Sequence, residues 1–329
     1  EKVLIYYQLY EYPFNVCYAI SDDGGITFKK PKNNFILKNS LASNNFSAFI
    51  DTNSNAKTKF KAIGGSHVGK DHAFHKNCIC NNMGLELINC YNPVWPNRKR
   101  SLFADNVNHP CQGNGYYIFE SNNGEDWRVM IDKPVLSSFT ELEGYNDIGY
   151  LSHDNRPTIF YDNNINEYVL YVRNNVKLGV RHVLYTKSKD LINWDKPRDI
   201  KLDSQFDYEH DNLYYAGIYP YPESNNYISF TPYFKNIIHD ENGEYRSYHD
   251  ECTLIMTSKD KENWAVKYKI FKGITTSKTQ WSLSLHVLGF IESPNKKEFW
   301  LYVRKGDMVS YNKLYRYSIK KEEFDKIFE

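Results

Sequence analysis

Short runs in which apolar and polar residues alternate recur along the whole chain: KVLIYYQ from Lys2, KFKAIGG from Lys59, EYVLYVR from Glu167, NYISFTP from Asn226 and EFWLYVR from Glu298. A period of two predicts half-buried strands. Downstream of each run lies another that ends in Ser, with an acidic or amide residue two positions on and an aromatic six or seven after the Ser. The copies are CYAISDDGGITF (Ser21, Asp23, Phe28), YYIFESNNGEDW (Ser121, Asn123, Trp127), VLYTKSKDLINW (Ser188, Asp190, Trp194) and TLIMTSKDKENW (Ser258, Asp260, Trp264), with a degenerate fifth in KLYRYSIKKEEF (Ser318, Phe324). Upstream stand further short strands closed by polar hairpins: FSAFIDTNSN, PTIFYDNNIN, GIYPYPESN and VLGFIESPNKK.

Strand, hairpin, strand, loop, strand and Ser turn make one antiparallel sheet of about four strands, and five copies predict an all-β fold, a five-bladed β-propeller of four-stranded antiparallel blades. The chain is read as one propeller domain over 1–329. In the turn, a Ser or Asp side chain that accepts from backbone N–H groups two or three residues on closes the loop locally, and the aromatic packs between neighbouring sheets. Ser21, Asp23, Asp190 and Asp260 are therefore read as scaffold. Successive Ser positions lie 100, 67, 70 and 60 residues apart, so the second blade carries an insertion at about 69–114. The stretch between KFKAIGG and GYYIFES holds Cys78, Cys80, Cys90, Cys111, His67, His72, His75, Trp95 and the basic run at 97–100. The first blade begins at its second strand; its innermost strand lies upstream of Glu1, or another segment closes the ring.

Composition fits strands and turns: 28 Tyr, 19 Phe and 6 Trp, with abundant Asn. A formal charge of +1 supplies no summed field for nucleic acid or an anionic membrane surface. Apolar stretches are far shorter than the ~20 residues of a membrane span. The opening EKVLIYYQ lacks the basic start and cleavage site of a signal peptide, and the expectation is a soluble chain, extracellular or surface-associated after trimming of an N-terminal segment. Six cysteines are too few for a disulfide scaffold, and Cys78-Ile-Cys80 lacks the usual zinc-ligand spacing, so free thiols or local disulfides are expected and no metal or cofactor is assigned.

SDDGGITF fits the S-x-D-x-G-x-T-aromatic pattern of Asp-box sialidases, whereas SKDLINWDKP at 188–197 resembles the strand-end turn of five-bladed glycoside hydrolases of families 32, 43 and relatives. NNFSAFIDTN, HDNRPTIFYD, YYAGIYPYP and LYRYSIKKEEF resemble uncharacterised family-32-like hydrolases. The resemblance covers nearly the whole chain outside the insertion and implies a glycosidase whose partner is an oligosaccharide or glycan. Such hydrolysis uses two carboxyl groups, one proton donor and one nucleophile or base.

In a propeller the funnel is lined from the starts of innermost strands and from the loops joining second to third strands. Those positions offer Asp154, Asp211 and Glu251 as catalytic candidates. They offer Asn45, His153, Arg156, Arg173, Glu209, Asp250, Trp281, His286 and Arg304 as substrate-binding candidates. Asp154 opens HDNRPTIFYD where relatives carry a sugar-contacting acid, although the R-D-P form of that motif puts Arg156 at the acid's position. Glu251, in HDEC, echoes the E-C acid of fructosidases, and Asp211 is the alternative partner. Arg173 and Arg304 occupy the same place in two copies of L-Y-V-R, where a rim Arg can hold a sugar carboxylate by paired hydrogen bonds. The rival readings are a non-catalytic glycan-binding or surface-recognition propeller, and a sialidase-like enzyme in which Arg156, Arg173 and Arg304 converge.

Overall fold

A computed structural model describes residues 2–9, 15–37, 44–65, 115–131, 133–137, 140, 142–143, 156–177, 180–203, 206–208, 210–222, 224–236, 248–271, 285–305 and 313–329. Alternation in these runs becomes a ring of five small sheets, a five-bladed β-propeller. The first sheet is β1 (Val3–Leu9), β2 (Asn15–Ser21) and β3 (Phe35–Leu37). The second is β4 (Asn44–Ile50), β5 (Phe60–Gly65), β6 (Gly115–Ser121) and β7 (Arg128–Val129), with β8 (Leu136–Ser137) also on β6. The third is β9 (Thr158–Asp162), β10 (Glu167–Lys177), β11 (Val180–Ser188) and β12 (Arg198–Asp199).

In the fourth, β13 (Lys201–Leu202) runs parallel along the outer edge, while β14 (Asp211–Leu213) and β15 (Ile218–Pro220) share β16 (Tyr227–Asn236), followed by β17 (Tyr248–Ser258) and β18 (Asn263–Ile270). The fifth is β19 (Leu285–Glu292), β20 (Glu298–Lys305) and β21 (Lys313–Lys320), after which a short helix, α1 (Lys321–Asp325), follows. Described sheets thus hold three to six strands instead of a uniform four. The insertion expected at 69–114 lies outside the described residues, as do Cys78, Cys80, Cys90 and Cys111.

The serine turns close as their residues require. Asp190 Oδ1 accepts from the N–H groups of Ile192 at 2.9 Å and Asn193 at 2.8 Å, and Asp260 Oδ1 does the same for Glu262 and Asn263. Asp23 accepts from Ile26 and Thr27. These bonds, with the Ser21 hydroxyl first, hold the Asp23 carboxyl below the ordinary carboxylate range. The residue three after the serine adopts a left-handed backbone in all four turns: Gly24, Gly124, Leu191 and Lys261 have φ of 72°, 77°, 68° and 75°. Only the glycines do this without steric cost. The indole N–H groups of Trp127, Trp194 and Trp264 donate to the carbonyls of Gly124, Leu191 and Lys261, so the three tryptophans are equivalent. Trp264 is 2% exposed, whereas Trp127 and Trp194 are only half-buried. The fifth copy departs from the pattern. Ser318 sits inside β21 and donates to Glu298, and Phe324 is buried from α1, so no serine turn forms there.

Apolar clusters fill the spaces between sheets, with Tyr171, Tyr185, Met256 and Trp264 between the third and fourth, and Phe230, Phe299, Leu301 and Phe324 between the fourth and fifth. A polar latch joins successive sheets. Tyr168 at the start of β10 donates to Asp51 after β4 at 3.0 Å, and Asn53 donates to the Tyr168 oxygen. One sheet on, Tyr227 donates to Asp162 at 2.6 Å, Asn164 donates to Tyr227, and the buried Lys261 ammonium lies 3.2 Å from Asp162. Between the first two sheets, Tyr6 donates to the Gly124 carbonyl, and Tyr171 makes the same bond to Lys261 between the third and fourth. The ring closes by an analogous contact. Trp300 and Tyr302 of β20 press on the Gly24–Gly25 turn, where a Cβ at Gly25 would meet the Tyr302 hydroxyl at 1.9 Å, and Arg316 donates to the Gly24 carbonyl.

Two expectations follow for stability in urea. Trp264→Ala should lose about 3–5 kcal/mol, the cost of deleting a buried large aromatic, and Trp194→Ala distinctly less. Tyr227→Phe, which keeps the ring but strips a donor from buried Asp162, should cost about 1–3 kcal/mol.

Candidate functional site

Strand direction decides which residues reach the funnel mouth. Innermost strands start there and second strands end there, so Gln8, Asn45, Arg156, Asp211, Lys235, His286 and Arg304 fall at one end of the ring. Asn45 has a left-handed φ of 57°, and its N–H donates to Gln8 Oε1 from the first sheet.

The fourth sheet supplies most of the site because its innermost strand is broken. Between β14 and β15 the chain leaves the ladder at Tyr214–Gly217. It is held by Tyr214 N–H donating to Pro232 and Phe230 N–H donating to Gly217. A Cβ on Gly217 would come within 2.5 Å of the Phe230 carbonyl, so the close approach requires glycine. The break turns Tyr214 and Tyr215 toward neighbouring sheets. The Arg173 guanidinium lies 4.9 Å from the Tyr214 ring centroid and donates to the Tyr214 carbonyl, and Arg181 lies 5.7 Å from the same ring. Tyr215 meets the buried His286 ring edge-on at 5.1 Å and donates to the Val287 carbonyl. His286 stands directly opposite Arg304 in the β19–β20 ladder.

Burial first, then the positive charges of Arg304 and Arg156, push His286 down to about 3. Its imidazole is neutral at physiological pH. Burial also raises Tyr215, against the opposing pull of Arg156 and Arg304. Arg156 and Arg304 thus act on one aromatic cluster, and Arg173 stacks on the adjoining Tyr214.

Asp211 is buried and well held. Its Oδ1 accepts from the Tyr233 hydroxyl at 2.9 Å and lies 3.9 Å from Lys235 Nζ, while Oδ2 accepts from the Asp207 N–H at 2.9 Å. Glu251 is buried in β17 beside Cys252, the partner of Tyr233 across the β16–β17 ladder. Asp211 and Glu251 therefore lie on the two strands flanking β16. Asp250 lies in the same strand, β17. Asp154, His153, Glu209 and Trp281 lie outside the described residues. Sequence reading did not single out Tyr214, Tyr215, Tyr233 or Lys235. The Y-Y pair ahead of Gly217 was the available signal, but its meaning depends on a contact with a strand that comes later.

The sequence matches no family model and no curated protein. Among solved structures the fold is similar to that of a glycoside hydrolase (14% identity, TM-score 0.56, covering 96% of this chain and 83% of that one). It is also similar to the GH32 β-fructofuranosidase of Bombyx mori (12%, 0.50, 94% and 53%). A third is the α-L-arabinofuranosidase Arb93A of Fusarium graminearum (11%, 0.50, 100% and 91%). At these identities the likeness is one of fold.

The buried neutral histidine has a pH signature. Between its unfolded value of 6.5 and its folded value of about 3 the unfolded chain binds a proton that the folded chain does not, so stability falls as pH drops through that window. His286→Gln should reduce the slope of unfolding free energy between pH 6.5 and 5 by up to about 1.4 kcal/mol per pH unit, measured by urea titration. An unchanged slope would place the proton uptake elsewhere.

Proposed function

We propose that the protein is a glycoside hydrolase that cleaves an oligosaccharide or glycan in the central funnel through paired carboxylates. The observation that carries this reading is the placement of buried Asp211 and Glu251 on either side of β16, at the mouth of a five-bladed ring. Strands two places apart are ~10 Å apart at the backbone, a distance that side chains can shorten to the roughly 5–9.5 Å between glycosidase carboxyl groups. Asp211, which accepts two hydrogen bonds and lies 3.9 Å from the Lys235 ammonium, suits the role of fixed carboxylate facing the developing oxocarbenium charge. Glu251 suits the proton donor. Asp154, from the chain that leads into β9, is the third acid in the proposal. Asn45, His153, Arg156, Arg173, Glu209, Asp250, Trp281, His286 and Arg304 are the proposed sugar-binding set. The solved glycoside hydrolase, fructofuranosidase and arabinofuranosidase that share the fold support the substrate class.

We also propose that 1–329 is one propeller domain and that 69–114 is an excursion from it. Replacing that stretch by a short Gly-Ser bridge should leave cooperative unfolding intact.

Turnover on furanoside, pyranoside and sialoside panels tests the reading. Glu251→Gln, Asp211→Asn and Asp154→Asn each keep side-chain shape and remove the carboxyl group's charge or transferable proton. Each should lower kcat at least a hundredfold, about 2.7 kcal/mol, with modest change in affinity. A variant that turns over like the wild type removes that residue from the mechanism. Sugar binding by the wild type without turnover on any panel would replace the hydrolase with a glycan-binding propeller.

A further inference from the structure

Four guanidinium groups gather around the break in the fourth sheet. Arg173 and Arg181 flank the Tyr214 ring. Arg304 stands across the ladder from His286, and Arg156 lies two residues before Thr158, whose hydroxyl donates to the Ala216 carbonyl beside Tyr215. Cations brought together at a partly buried site repel one another and lose hydration, so an arrangement of this kind needs negative charge to offset it. Among the described residues that charge is missing at the His286 end. Arg304 Nε is buried without a hydrogen-bond partner there, and so is His286 Nε2, on a side chain only 5% exposed. The buried carboxylate of the neighbouring ladder, Asp211, is taken up by Tyr233, Lys235 and the Asp207 N–H.

Two unsatisfied donors or acceptors side by side, one on a guanidinium and one on an imidazole, match an oxyanion better than a hydroxyl. A guanidinium presents paired N–H groups that meet both oxygens of a planar anion at once. A neutral imidazole with its proton on Nε2 donates beside it without adding a like charge. The ring of Tyr214, partly exposed and backed by the buried Tyr215, supplies apolar surface of the kind against which a sugar packs.

We infer that the funnel recognises a sugar residue bearing a carboxylate, held by Arg304 and Arg156 beside His286, with the partly exposed Tyr214 at its apolar side. This deepens the hydrolase reading and rests on it only for the claim that the ligand is a glycan. Carboxylate recognition separates acidic sugars from the neutral ones that share their ring shape, because the ester of the same sugar loses the charge and keeps the size.

Calorimetric titration of the full chain with galacturonate oligosaccharides and sialyllactose, against their methyl esters and against neutral arabino-oligosaccharides and sucrose, tests this. At least one acid should bind ten or more times tighter than its ester, and its affinity should fall with added salt. Arg304→Met and Arg156→Met, which keep an apolar stem, should each shrink that acid-to-ester ratio at least fivefold. Arg304→Lys, which keeps charge without the fork, should fall between. Thermal unfolding of each variant near the wild-type midpoint shows that the ratio reports the site. Sulfated oligosaccharides form a separate arm, and binding of sulfate esters with indifference to carboxylates would overturn the assignment. Equal binding of acid and ester, or binding of neutral sugars alone, would also overturn it while leaving the hydrolase intact. Preferential binding of an acid without cleavage would support it and remove the hydrolase. Binding of none of these sugars would overturn both.

Discussion

A buried carboxylate at the end of an innermost strand, accepting from the tyrosine that begins the second strand of the next sheet, is the interaction on which the ring depends. Asp51 with Tyr168 and Asp162 with Tyr227 are the two instances, each with an asparagine two residues beyond the aspartate donating to the same phenol. Apolar packing between sheets is non-directional and would tolerate sliding. The latch fixes the offset, because a buried carboxylate without its donor costs far more than a misplaced methyl. Where the second strand of the next sheet begins with Phe299 instead, no hydroxyl is available, and the joint is made by aromatic packing of Tyr221, Phe299 and Phe324 with the Tyr221 hydroxyl turned to Asp325 in α1.

The latches lie at the end of the ring opposite the funnel mouth, and this division of labour frees the other end. Of the charged groups at the mouth, Arg173 adds its own bond from the third sheet to the Tyr214 carbonyl of the fourth. Arg173, Arg181, Arg304 and Arg156 can cluster there, with stability supplied by the turns and latches below. The cluster also supports a histidine that stays buried and neutral: desolvation opposes its protonation, and two guanidinium groups oppose it further.

The architecture was legible in the sequence because the serine turns are closed by their own residues. Ser188 and Asp190, or Ser258 and Asp260, bond N–H groups within a few positions, so the letters alone carry the geometry. Ser318 shows the limit of that reasoning. Its letters match, yet β21 runs on through it and a helix follows, because Phe324 has an apolar cluster to enter. The site was legible in part. Strand position alone set Arg304 and His286 at the funnel end, whereas Tyr214 and Tyr215 depend on the approach of Gly217 to Phe230, a contact between strands that no local pattern records. Asp211 looked like a free acid at a strand start, and its engagement by Tyr233 and Lys235 comes from the ladder beside it.

The contact of Trp300 and Tyr302 with the Gly24–Gly25 turn has a topological consequence. Tyr6 on the Gly124 turn and Tyr171 on the Lys261 turn make the same kind of joint, an aromatic of a second strand laid against the neighbouring sheet's turn. The junction of the fifth sheet with the first is thus built like the others, by side chains and not by continuity of the backbone. Rotational order around the ring is then set by which turn meets which aromatic.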